Sequence, residues 1–198
     1  MFAQLKTSVL MLLVLSVLTG LAYPLAITGV AQLVFAKQAN GSLITINERP
    51  VGSELIGQPF DDPKYFWSRP SATGSYPYNA GSSSGSNLAV TNPAQLDAIR
   101  RRVATLRASG VSADQPIPID LVTASASGLD PHASPAAARI QIARVARARG
   151  VDEAAVTRLV EAATQNRQFG ILGEPRVNVL RLNLSLDQLI GPAGGGQR

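Results

Sequence analysis

The side chains best suited to chemistry crowd into one stretch, Asp120 to Gly150. Asp120, Ser125, Ser127, Asp130 and His132 combine hydroxyls, carboxylates and the chain's single histidine. A serine hydrolase needs those types, with a base to take the hydroxyl proton and a carboxylate to orient the base. No G-x-S-x-G elbow presents either serine, however, and proximity in sequence does not make a triad. Asp130-x-His132 supplies two ligands for a divalent cation, but no second cluster completes a site and there is no cysteine. No catalytic residue and no metal site are therefore expected. ATP hydrolysis by this chain alone is excluded too: G-x-x-x-x-G-K-[ST] is absent, and the three lysines, Lys6, Lys37 and Lys64, all lie away from a glycine-rich helix entry.

These residues must be positioned by the helix that follows them. Ser134 suits an N-cap and Pro135 the first helical position, where its missing N–H is no loss. The spacing predicts a helix from Pro135 to a C′ residue at Gly150, with Arg144, Arg147 and Arg149 toward the end where the macrodipole favours cations. The other end leaves backbone N–H groups free, to be met by Asp130 and Ser134 or by a bound anion.

Two further helices are legible. Asn92-Pro93 opens one with Leu96, Ile99, Val103 and Leu106 on its apolar face and Arg100, Arg101, Arg102 and Arg107 on the other, a face read as solvated or as meeting an acidic partner. Val151-Asp152 opens another, burying Val156, Leu159, Val160 and Ala163. Ser42 to Ile46 reads as a short strand, and Arg176 to Leu184 as a strand with a bulge, followed by a helical turn capped by Ser185. Tyr65-Phe66-Trp67-Ser68-Arg69 is either a stacking platform or the anchor of a long loop. Ala72 to Asn87, rich in Gly, Ser, Asn and Tyr, reads as a linker or as an ordered, hydrogen-bonded surface loop.

The N-terminus sets the compartment. No charge occurs between Lys6 and Lys37, and about 20 helical residues cross a hydrocarbon core of about 30 Å, so Ser8 to about Ile27 suffices. Pro24 and Gly29 fall where that helix would end or bend. A cleaved signal peptide ending at Gly29-Val30-Ala31 is the rival, but the apolar run continues past it to Ala36, which favours an uncleaved anchor. The amino terminus and Lys6 favour a cytoplasmic N-terminus, against weaker opposition from Lys37 and Arg49. The net charge of +5 comes from 15 arginines and only three lysines, a bias toward fixed planar contacts. No nucleic-acid recognition motif accompanies it. The fold class is α+β: one N-terminal transmembrane helix (1–37), a soluble domain with a small sheet and about three helices (38–190), and a disordered Gly-rich tail (191–198).

Several blocks extend the reading from residues to family. They are Gly52-Ser53-Glu54-Leu55-Ile56-Gly57-Gln58, Tyr65-Phe66-Trp67-Ser68-Arg69-Pro70-Ser71-Ala72, Gly85-Ser86-Asn87-Leu88, Asp120 to Pro131, and Leu172-Gly173-Glu174-Pro175-Arg176-Val177-Asn178-Val179-Leu180. In this order behind one anchor, over roughly residues 8 to 187, the chain resembles the KdpC family of subunits of the bacterial Kdp potassium-transporting ATPase. The resemblance implies a non-catalytic, single-pass subunit of the bacterial inner membrane, with a periplasmic soluble domain. The implied partners are a channel-like potassium-translocating subunit, a P-type ATPase subunit and membrane lipid. It further implies either a catalytic chaperone that raises the P-type subunit's affinity for ATP or a structural clamp on the channel-like subunit near the potassium entrance. The chaperone reading places Ser125, Ser127, Gly128 and Gln141 at nucleotide, with ATP met only in a transient complex and no stably bound cofactor.

Overall fold

The computed structural model describes residues 2–190; the expected tail lies outside them. The chain divides into two compact units, Met1–Leu43 and Ile44–Arg198.

The first unit is a helix of 33 residues, Phe2–Val34, none of whose most apolar stretch is buried within the protein. A helix apolar all round needs an apolar surrounding, and this one is long enough to span a bilayer. It comprises α1 (Phe2–Val17), a π segment (Leu18–Ala22) and α2 (Tyr23–Val34). The helix does not stop at Pro24. Tyr23 N–H reaches back five residues to Leu18 O, and this wider turn makes room for the proline ring against the preceding carbonyls. A short α3 (Ala36–Ala39) follows.

The second unit opens with a hairpin of β1 (Leu43–Ile46) and β2 (Arg49–Ser53). Its two-residue turn, Asn47-Glu48, has φ of 49° and 62°, the left-handed pair that matches strand twist. The hairpin is additional to the single sheet expected. A Cβ on Gly52 would come 2.2 Å from the Gln58 amide and 2.7 Å from the Leu180 side chain, so a larger residue there would have to push both side chains aside.

The helix α4 (Pro93–Ala108) starts as expected, with the Asn92 side chain accepting from Ala94 N–H at 2.9 Å. Its arginines are not one solvated face. Arg102 donates to Val122 O at 2.8 Å, and Arg107 ties down the Pro-rich connector through Ser112 O and Gln115 O. Burial, with Arg101 alongside, holds the Arg102 pKa below its usual value.

The predicted Pro135 helix is split into α5 (Pro135–Arg139) and α6 (Ile142–Arg149). At the joint the Gln141 side-chain amide takes Ala137 O at 2.9 Å, the carbonyl its own backbone N–H would have used. That N–H falls back on Ala138 O, a tighter three-residue step. Gly150 closes α6 in the left-handed conformation at φ 65°. Then α7 (Glu153–Ala163) buries Val156 and Val160.

The last segment departs most from expectation. Only Arg176–Asn178 is strand (β5); it pairs antiparallel with β3 (His132–Ala133) on one side and β4 (Thr164–Gln165) on the other. From Val179 the chain is helical, α8 (Val179–Ile190), with Ser185 inside it rather than at its start. Asn178 is the cap, its side-chain oxygen accepting from Arg181 N–H at 3.0 Å. The leucine run misled because it also fits a helix: Val179, Leu182, Asn183 and Leu186 share one buried face. That face joins Phe66, Val145, Val156 and Val177 in the core.

Because Leu182 is fully buried, Leu182→Ala is expected to destabilise the protein by about 2–5 kcal/mol. Urea unfolding in detergent, followed by the fluorescence of the single tryptophan, measures this.

Candidate functional site

Between the hairpin and α4 the chain from Phe66 to Pro70 has no regular secondary structure and pairs into no sheet, although Phe66 is buried. Buried backbone needs partners, and here they come from side-chain amides. Asn183 of α8 accepts Phe66 N–H at 2.9 Å and donates to Phe66 O at 3.0 Å. Gln141 does the same for the next residue, accepting Trp67 N–H at 2.8 Å and donating to Trp67 O at 3.1 Å. Each amide thus copies the donor–acceptor pair of a neighbouring strand.

Two arginines of α6 complete the clamp from the buried side. Arg144 donates to Pro63 O and to Gln141 Oε1, and its guanidinium lies 4.3 Å from the centre of the Trp67 ring. Desolvation pulls its pKa down to about 10, so it is still a cation at neutral pH. Arg149 donates to Lys64 O at 2.8 Å, pairs with Asp187 at 2.7 Å and lies 4.7 Å from the Tyr65 ring centre. The aromatic stretch is therefore a loop anchor, and the arginines on its rings come from α6 rather than from its own Arg69.

The Ser125–Gly128 loop lies against the same segment further along. Ser125 is buried, and its N–H reaches Pro70 O at 3.3 Å. The Ser127 carbonyl accepts from Ser84 N–H and Ser83 Oγ, while its hydroxyl accepts from Leu129 N–H. Gly128 has φ of 68°, and a Cβ there would be 2.5 Å from Thr73 and 2.6 Å from Ser84 O. These contacts make residues 71–85 an ordered surface loop, with Ser71 Oγ donating to Gly128 O at 2.7 Å. Of the four residues linked to nucleotide, Ser125, Ser127 and Gly128 share this joint. Gln141 lies apart from it, fully buried at 0% exposure on Trp67.

The entry to α5 is capped by the chain itself, though not by the expected pair. Ser134 Oγ accepts Ala137 N–H at 3.0 Å, and Asp120 accepts Ser134 N–H at 2.7 Å. Asp130 instead faces Arg69 at 3.1 Å and takes the His132 backbone N–H at 3.0 Å, with His132 Nδ1 at 3.3 Å. Burial alone would raise the Asp130 pKa, but the hydrogen bonds from His132 and the Arg69 charge outweigh it, holding the pKa below the usual carboxylate value.

A cleft of about 290 Å³ opens beside this joint, lined among others by Trp67, Arg69, Tyr78, Arg102 and Leu121. The Tyr78 hydroxyl there donates to Arg69 O at 2.5 Å and touches Ser68 Oγ, and Arg102 is used as described, while Arg69 bonds through its terminal nitrogens and leaves its buried Nε without a partner. Among the described residues no group of three or more His, Cys, Asp or Glu could hold a metal. Asn183 and Asp187 were not singled out from the sequence. Polar residues recurring inside the apolar run of α8 were the available signal.

Among the described residues one helix is long and apolar enough to cross a membrane, and it precedes a small α+β domain, an arrangement that fits a single-pass membrane protein. The chain belongs to the KdpC family, the c chain of the K+-transporting ATPase, whose profile matches residues 5–188. The potassium-transporting ATPase KdpC subunit of Methylococcus capsulatus (strain Bath) is 58% identical over 189 residues, spanning 96% of this chain and 100% of that one. The KdpC subunits of Sorangium cellulosum and Geobacter sulfurreducens are 57% and 56% identical, each covering 94% of this chain and 98% of their own length.

Gln141→Leu keeps the side-chain bulk but strands both Trp67 backbone groups. The expected loss is about 1–3 kcal/mol for each buried group left unpaired, read as a lower urea midpoint and a changed Trp67 emission. Asp130→Asn tests the ion cluster. A carboxyl with a depressed folded pKa stabilises above its ordinary value of 3.8 and loses that contribution as pH falls through the folded pKa. The wild-type advantage over Asp130→Asn is therefore full near neutrality and shrinks below pH about 4, as urea midpoints across that range will show.

Proposed function

We propose that the chain is a non-catalytic assembly subunit of an ATP-driven, high-affinity potassium importer. Its anchor lies in the bacterial inner membrane with the N-terminus cytoplasmic, and its periplasmic domain clamps the outer face of the channel-like subunit near the potassium entrance. One observation supports the non-catalytic part: Asp120, Ser127, Asp130, His132 and Gln141 are engaged in internal bonds. Gln141 uses its amide oxygen on Trp67 and Arg144 and its amide nitrogen on Trp67 and Ala137. Contact with ATP through that amide would require dismantling the clamp on residues 65–68. The family match and the spanning helix support the setting, with the channel-like and P-type subunits and membrane lipid as partners.

The chaperone alternative, with Ser125, Ser127, Gly128 and Gln141 at ATP held by the P-type subunit, requires the domain to be cytoplasmic. The two readings therefore separate on topology. The chain has no cysteine, so Ala113→Cys, at an exposed position, gives a single reporter. A membrane-impermeant maleimide is expected to label it in intact cells as fast as after permeabilisation. Protection until the membrane is opened would reverse the choice in favour of the nucleotide role.

A further inference from the structure

The β4–β5 hairpin ends in three apolar side chains that nothing among the described residues covers. Phe169 is 92% exposed, Ile171 75% and Leu172 55%. Single exposed apolar residues are ordinary, but three together on one tip are not.

The tip is held in one shape. Gln168 N–H donates to Leu172 O at 2.8 Å and Leu172 N–H to Gln168 O at 2.9 Å, while Ile171 N–H closes a turn onto Gln168 O at 3.2 Å. Within that turn Phe169 and Gly170 have φ of 53° and 76°. Two left-handed residues in succession favour Asn-Gly, and a bulky aromatic is disfavoured at the first. Phe169 thus offends both solvent and its local backbone, and at 92% exposure the described residues offer it almost no contact to compensate. A residue that breaks local rules without helping the fold points to a role outside it.

Charge at the base selects the kind of partner. Arg167 is tied to both carboxylate oxygens of Glu174, at 2.8 and 2.7 Å, so the pair adds no net charge beside the tip. Arg176 keeps its charge, but it sits further back on the ladder, opposite Gln165, to which it donates. A lipid-dipping loop gains from unpaired cations near headgroups and accepts an apolar chain in any conformation. A fixed knob whose tip, residues 168–172, carries no charge and whose nearest arginine is paired instead matches a shaped apolar pocket. We propose that the Phe169 tip seats in such a pocket on another protein subunit of the potassium-transporting complex. The inference rests on the assembly reading above and names the contact through which this domain holds its partner.

The test uses the assembled complex in its membrane. With p-benzoylphenylalanine replacing Phe169, irradiation is expected to give an adduct with one partner subunit, identified by mass spectrometry. Adducts confined to phospholipid, or to a second copy of this chain, would overturn the proposal, as would the absence of any protein adduct. Phe169→Asn provides an independent reading, since it suits the turn and should leave the urea midpoint unchanged or raise it. Retention of this variant on the detergent-purified complex is expected to fall about tenfold; unchanged retention would sink the idea. The assembly reading fails separately, if cells lacking this chain still yield a complete, transporting complex. A complex that needs the chain yet gives only lipid adducts at position 169 rejects the tip alone.

Discussion

A backbone segment is buried at Phe66 without a sheet to receive it, and the flanking helices of the soluble domain are arranged around meeting that demand. Inside a protein an unpaired N–H or C=O is expensive, so a lone strand normally joins a ladder. Here the ladder is replaced by two amide side chains, Asn183 and Gln141, each spanning both polar groups of one residue. Such pairing demands that α6 and α8 flank the segment at fixed distances. The interruption between α5 and α6 follows from the same demand, because the Gln141 amide also takes the Ala137 carbonyl.

The arginine bias acquires a physical meaning in this setting. A guanidinium has several donors in a fixed plane and an apolar face, so it can cap carbonyls and stack on a ring together. Arg144 and Arg149 do both, on Pro63 and Trp67 in one case and on Lys64 and Tyr65 in the other. An ammonium could not serve both tasks. Much of the positive charge is therefore structural. The same holds for Arg102 and Arg107, whose guanidinium groups are spent on backbone carbonyls of Val122 and of the connector.

The candidate site was legible in part. The loop from Asp120 to Pro131 stood out as a polar joint, and Ser134-Pro135 marked the helix start, because caps are local and depend on few residues. Which carboxylate served that cap was not legible. Asp120, fourteen residues upstream, does so, while Asp130 turns to Arg69. The family resemblance placed Gln141 at nucleotide. Its burial, and its bonds to Trp67, Ala137 and Arg144, could be assigned only once the aromatic segment was brought beside it.

Runs, caps and blocks read along the chain were enough for the membrane-spanning helix, the α+β class, the starts of α4, α5 and α7, and the family, since each depends on neighbours in sequence. That Val179 to Ile190 is helix needed the folded domain, because the leucine spacing there fits both periods and burial against Phe66 and Val145 selects one. The choice of which polar residues face inward belongs to the same level. Hydrogen-bond partners more than seventy residues apart, such as Gln141 with Trp67 and Asn183 with Phe66, leave no mark on local spacing. Their pairing is a property of packing, and packing is settled by the whole domain at once.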